Sequence, residues 1–183
     1  MKKNKYIKVG ILIGENAELE ALALRQTLEY FGYEVVTKWI GRPNDFINFL
    51  KGKLFDRKIN LLILCLHGQN QKFVMPKLSK EIYFEDEVRT NIGSDIISSN
   101  ILLKDKIIIS TACAVGNSKI GNSFTKNNSI LIASKGYVEG NSALLFVQML
   151  MYNLLNFNDI YEAFELCNNF DEEISSFKMF KLI

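Results

Sequence analysis

Three short stretches of this chain are apolar almost without a break: NLLILCL at residues 60 to 66, KIIIS at 106 to 110 and SILIAS at 129 to 134. A strand with one face in water alternates apolar and polar residues, so an unbroken run has to be covered on both faces. The middle of a parallel sheet with helices packed above and below it meets that condition. IKVGILIG at 7 to 14 and EVVTKWI at 34 to 40 supply two more β-rich runs, and helical patterns separate the strands. The first helix is expected to turn Leu19, Leu22, Ala23, Gln26, Leu28 and Phe31 to one side, and Pro43 suits the first turn of the second. A helical second half is expected for residues 89 to 104, a short helix or loop over 118 to 127, a long apolar helix over 141 to 155 and an amphipathic one from Asp159 to about Phe170. The expected fold is therefore α/β, a three-layer α/β/α sandwich around a mostly parallel sheet with right-handed crossovers. A small hairpin after the third strand is placed around Pro76 to Lys80.

With 183 residues, 48% of them hydrophobic, the chain suits a single domain over residues 1–183. Its 22 basic and 20 acidic residues are dispersed and leave a net charge of +2, which gives no electrostatic reason to expect nucleic acid. No run approaches the roughly 18 to 20 apolar residues of a membrane-spanning helix, and the basic start (Lys2, Lys3, Lys5) reads as a solvated terminus rather than a secretory leader. A soluble, cytoplasmic protein with no membrane partner is the expectation. Three cysteines (Cys65, Cys113, Cys167) with no close pair argue against a disulfide framework and against zinc, so reduced thiols are expected, with no metal and no cofactor. Gly10 and Gly14 flank the first strand without a phosphate-loop lysine. The acids Glu85, Asp86 and Glu87, after Tyr83 and Phe84, read as a solvated edge before they read as bait for a basic peptide. Residues 170 to 183, rich in Phe and Met, either pack or cover a partner.

Function in a doubly wound sheet gathers at the carboxyl ends of its strands. The sole histidine, His67, follows the third strand directly, and Cys113 follows the fourth. A cysteine attacks a carbonyl as thiolate, and an imidazole that titrates near neutrality can take its proton. If the third and fourth strands are neighbours, about 4.8 Å apart, the two side chains can reach one substrate carbonyl. Gly68 lets a backbone N–H approach a developing oxyanion, and the N–H of Cys113 can be the second donor. No Asp or Asn is placed as a third member, so the pair reads as a dyad. Cys65 and Cys167 read as small buried hydrophobes.

LLILCLHG followed by IIISTACAVG, 46 positions apart from His67 to Cys113, resembles the caspase-fold cysteine peptidases, the group that includes caspases, metacaspases, separase, clostripain-like enzymes and the bacterial CHAT peptidases. The separation is close to the roughly 50 residues of caspases, and TACAVG is nearer to the CHAT pattern S-A-C-x-T-G than to the caspase Q-A-C-x-G. SILIASKGYVEGNSALLFVQMLMYNLL is similar to that group's strand, substrate loop and long helix, so the likeness spans roughly residues 7 to 157. The resemblance implies His67 as general base, Cys113 as nucleophile, the backbone N–H groups of Gly68 and Cys113 as oxyanion hole, and a protein or peptide as substrate.

Departures from the pattern shape the expected substrate. Thr111 stands where caspases have the glutamine that helps bind a P1 aspartate, which argues against aspartate specificity. Glu139 occupies the loop where caspases place an arginine, and an acid there suits a P1 lysine or arginine. A solvated loop acid or a charge at a helix start explains Glu139 as well, and both readings stand at this point. Only about 16 residues separate Cys113 from the next strand, too few for the linker whose cleavage matures caspases, so activation would fall to a regulatory protein partner or an upstream signal. A catalytically silent interaction module of the same fold is the alternative. A flavodoxin-like binding domain would need an acidic cluster after the first strand, where Glu15 stands alone.

Overall fold

The protein's structure, a computed structural model, describes residues 8–182; Lys2, Lys3, Lys5, Ile7 and Ile183, which fall in stretches named above, lie outside them. Five strands run parallel: β1 (Lys8–Ile13), β2 (Glu34–Trp39), β3 (Leu61–Cys65), β6 (Ile107–Ser110) and β7 (Ile130–Ser134). A sixth, β8 (Phe177–Phe180), pairs antiparallel with β7, and the sheet order is β2-β1-β3-β6-β7-β8. Helices α1 (Glu18–Tyr30), α5 (Gly140–Phe157) and α6 (Ile160–Cys167) cover one face. The other face carries α2 (Pro43–Leu50), α3 (Ser94–Asn100) and α4 (Ser118–Thr125).

The unbroken apolar runs are accounted for by alternation within them. Along β3, Leu61, Ile63 and Cys65 enter the core under α1 and α5, while Leu62 and Leu64 enter the core under α2 and α3. All five residues of β3 are buried. Burying a residue of this size contributes roughly 1.5–3 kcal/mol, which makes β3 a substantial source of cohesion.

Helix α1 corrects the expected phase. Its buried side chains are Ala21, Leu24 and Leu28, whereas Leu19 is 86% exposed and Leu22 is 42% exposed. Ala21, Leu24 and Leu28 also obey the i, i+3, i+7 spacing, and the small Ala21 permits the close approach to the sheet that the larger Leu19 would prevent.

The hairpin after β3 lies earlier than Pro76. It is formed by β4 (Gly68–Gln69) and β5 (Lys72–Phe73), joined through Asn70 and Gln71, both left-handed at φ 49° and 58°. A two-residue turn of that hand matches the twist of its strands, and asparagine tolerates the conformation, whereas Pro76 lacks the N–H that a ladder needs. Residues 74 to 91 instead form an irregular excursion. Glu87 pins it: its carboxylate accepts from Arg42 Nε at 3.0 Å, Arg42 Nη2 at 2.6 Å, the backbone N–H of Asn44 at 2.9 Å and that of Phe84 at 3.2 Å. Arg42 also lies 3.6 Å from the centre of the Phe84 ring. Glu87 is thus buried and paired, not part of a solvated edge, while Glu85 and Asp86 are exposed.

The Arg42 guanidinium, helped by the two backbone N–H groups, holds the Glu87 carboxyl down to about 2 from an ordinary 4.5. A depressed acid stabilises the fold above the unfolded-state value and loses that contribution as pH falls from about 4.5 to about 2. Glu87→Gln is expected to cost on the order of 3 kcal/mol at pH 7, with the gap to the parent closing towards pH 2. Urea titrations at pH 7, 4 and 2.5 measure it, and a gap that does not depend on pH would refute the assignment.

The last departure is β8. Its Phe177 is fully buried and stacks on Phe146 of α5 with ring centres 3.9 Å apart, so the Phe- and Met-containing tail completes the sheet. Phe170, by contrast, is 61% exposed.

Candidate functional site

The chain segments carrying His67 and Cys113 leave the sheet side by side. Leu64 and Ser110 are partners in the β3–β6 register, and the next N–H, that of Thr111, donates to the Leu64 carbonyl at 3.1 Å. From there β3 continues through Leu66 and His67 into β4, while the chain leaving β6 turns at Cys113. The two turns then touch through their main chains. A Cβ built on Gly68 would clash with the carbonyl oxygen of Cys113 and lie 2.9 Å from its N and C atoms. Glycine at 68 is therefore a steric requirement of this junction.

The turn at Cys113 is anchored on its other side by the end of β7. Ala114 is left-handed at φ 57° and donates its N–H to the Gly136 carbonyl at 2.8 Å, and Gly116 donates to that of Ser134 at 2.7 Å. Left-handed backbone in a residue bearing a Cβ is uncommon and costs on the order of 1 kcal/mol, so a conformation held here by its neighbours fits a functional turn. Cys113 projects from this turn half-buried, and its Sγ donates to the carbonyl of Val138 at 3.4 Å. His67 is exposed.

Two backbone N–H groups at this junction are free of the surrounding ladders. The Cys113 N–H has no hydrogen-bond acceptor among the described residues. Val74 N donates to His67 O at 2.9 Å, which makes the adjoining Gly68–Phe73 pair the non-hydrogen-bonded kind and directs the Gly68 N–H away from the hairpin.

The other thiols are placed differently. Cys65 and Cys167 are fully buried, and loss of hydration pushes both thiols up, with the Glu20 carboxylate adding to the effect at Cys65. Such thiols stay protonated and unreactive. Among the described residues, Cys113 is the one free cysteine with surface access.

The loop after β7 borders the site. Lys135 N donates to Ser176 O at 3.0 Å, the Ser134 and Ser176 hydroxyls lie 2.7 Å apart, and Glu139 N donates to Glu173 Oε2 at 3.1 Å. Glu139 is exposed at the N-cap of α5, and its own side chain caps nothing. Thr111 is turned inward at 6% exposure, with its hydroxyl 3.2 Å from Glu20 Oε2 and 3.3 Å from Leu64 O. Its side chain presents almost no surface to a ligand.

Glu20 is the residue sequence reasoning missed. Its second oxygen, Oε1, is buried without a hydrogen-bond partner, and burial pushes the carboxyl from 4.5 up to about 7 despite the Thr111 hydroxyl. The available signal was an acid next to the buried Ala21 and one turn from the buried Ala17, once the helix phase is known. A hollow of about 410 Å³ lined by Phe55, Leu62, Leu103 and Lys106 lies at the opposite, amino end of the sheet and has no part in this site.

No family model matches the chain, and no curated protein is similar to it in sequence. Among solved structures it is similar to a secreted C11 cysteine protease from Bacteroides thetaiotaomicron, determined in complex with an irreversible peptide inhibitor. The TM-score is 0.56 at 10% identity, over 87% of this chain and 56% of that one. The fold is caspase-like. The chain spans little more than half the length of that neighbour, and the likeness at 10% identity is one of architecture. C11 proteases are the clostripain-like branch of the group resembled above, whereas the nearness to CHAT peptidases rests on TACAVG alone. No helix among the described residues is long and apolar enough to cross a membrane.

Proposed function

We propose that this chain is a cysteine endopeptidase working through a His67–Cys113 dyad. The observation that carries the reading is the main-chain contact between Gly68 and Cys113, which sets the histidine-bearing turn directly on the cysteine-bearing turn in a cysteine-peptidase-like fold. His67 takes the thiol proton as Sγ attacks the scissile carbonyl, and the negative charge on the carbonyl oxygen is met by the N–H groups of Gly68 and Cys113. His67 then gives the proton to the departing amine, leaving an acyl-enzyme, and activates the water that hydrolyses it. The Sγ proton now held by Val138 O has to be released first, a step that suits control by a regulatory partner or upstream signal ordering the loop after β7. The same hydrogen bond favours the second reading, a silent interaction module in which that thiol stays tied to Val138 O.

Acids at the rim support a cationic P1 residue. Glu139 and Glu173 meet at the loop beside Cys113, and exposed Glu15 and Glu18 follow β1 on the same edge of the sheet. Reporter peptides with Lys or Arg at P1 are expected to be cleaved at least about tenfold better than those with Asp, and Glu139→Ala to reduce that margin. The silent-module reading wins if no reporter is cleaved and iodoacetamide modifies Cys113 no faster than it does Cys65.

A further inference from the structure

Thr111 ties three elements together at the foot of the Cys113 turn. Its N–H and its hydroxyl both face Leu64 O, three residues before His67, and the hydroxyl also faces Glu20 Oε2 on α1. A hydroxyl has one proton and serves one of these acceptors at a time, and an ionised carboxylate is the stronger acceptor. With Glu20 ionised the Thr111 proton is drawn to the carboxylate; with Glu20 protonated the carboxyl can donate back to the hydroxyl, whose own proton then turns to Leu64 O, so the charge on Glu20 sets how firmly, and in which direction, the end of β6 is tied to α1.

We infer that Glu20 is a positioning residue for the dyad, acting through Thr111 to fix the main chain from which Cys113 projects. This deepens the peptidase reading and rests on it. The fold alone gives no reason for the residue. A carboxyl with one oxygen buried and unpartnered is costly, and a glutamine or an apolar side chain there would be cheaper. Buried polar groups kept against stability are characteristic of functional positions. Among the described residues no cation pairs with Glu20. Facing it are the Thr111 hydroxyl beyond β6 and the neutral Cys65 thiol on β3.

The pH sign follows from the raised carboxyl. The native state keeps a proton that the unfolded chain releases between 4.5 and about 7, so stability declines as pH rises through that window, and the loss is complete above it. Glu20→Gln is spared this loss and is expected to melt on the order of 5 °C above the parent at pH 8, with near equality at pH 4.5.

The deciding experiment measures kcat and KM on a P1-Lys reporter together with the iodoacetamide rate of Cys113, from pH 5.5 to 9. Glu20→Ala and Thr111→Val are expected to lose at least about tenfold in kcat and in alkylation rate at pH 8 with KM little changed. Thr111→Ser, which keeps the hydroxyl, should recover to within about threefold, and Glu20→Gln should lose the inflection near pH 7 from its alkylation profile. Wild-type rates in both Glu20→Ala and Thr111→Val, with only their melting temperatures moved, would reduce Glu20 to a structural role. If Glu20→Ala does not fold, the Thr111→Val and Thr111→Ser pair decides between the two roles. Absence of peptidase activity in the parent would fault the peptidase reading alone, because the alkylation arm reports on Glu20 without a substrate.

Discussion

Cys113→Ala is expected to lower cleavage of a Lys or Arg reporter by at least about 10⁴-fold, to background, while leaving the melting temperature within a few degrees of the parent. The side chain is half-buried, sits in a turn and makes one weak hydrogen bond, to Val138 O, so its removal opens no cavity in the core. His67→Ala should lose about 10²- to 10⁴-fold, with the rate of Cys113 alkylation at pH 7 falling alongside, because in the proposed dyad the imidazole acts on the thiol before it acts on the substrate. Cys65→Ala makes the opposite comparison. That residue is fully buried in β3, so its truncation should cost stability, about 1–2 kcal/mol, and leave the rate per folded molecule unchanged. Loss of activity in Cys65→Ala at full folding, with Cys113→Ala active, would sink the assignment of the nucleophile.

The second large effect is expected at a residue with no side chain. Gly68→Ala places a methyl group onto the main chain of Cys113, and nothing flexible is there to yield. Either the hairpin or the Cys113 turn has to move, at a cost of about 1–3 kcal/mol or more. Displacing the two turns by even about 1 Å separates the proposed base from the proposed nucleophile and shifts one proposed oxyanion donor, so turnover should fall by about 100-fold or more. The readout is kcat on the P1-Lys reporter corrected for folded fraction by circular dichroism. Gly52→Ala is a control of another kind: Gly52 is left-handed at φ 70°, far from the site, and an added Cβ there would make only an ordinary contact with Leu103 Cδ2 at 3.7 Å, so it should affect stability alone. Full activity in Gly68→Ala would show that the contact between the two turns is dispensable.

How far the sequence could be read depended on the range of the interactions involved. The parallel core was legible because LLILC and IIIS carry their burial in their composition, and central parallel strands tolerate no polar face. The candidate pair was legible for the same reason: a residue that ends such a run arrives at the carboxyl edge wherever the rest of the chain goes. The phase of α1 was not, since LEALAL offers two apolar stripes and only contact with the sheet selects Ala21, Leu24 and Leu28. Glu87 looks solvent-facing in the sequence because its partner Arg42 lies 45 positions earlier. Glu20 and Thr111 are 91 positions apart, and neither carries a local sign of the other. Pro76 and the charges around it signal irregular chain as readily as a turn, whereas Asn70, a residue type that tolerates the left-handed backbone found there, is the better marker of the hairpin.

The antiparallel strand β8 sets the order in which the surroundings of Cys113 are completed. It follows every other described strand and helix along the chain, yet Ser176 and Glu173, just before it, hold the loop that faces Cys113. Domains emerge from the ribosome amino end first. A nascent chain that has already exposed His67 and Cys113 therefore still lacks the clamp on that loop, and the rim around the thiol is finished only when Phe177–Phe180 zips onto β7. Synthesis order thus leaves the rim around Cys113 to be completed last, once translation has passed these residues.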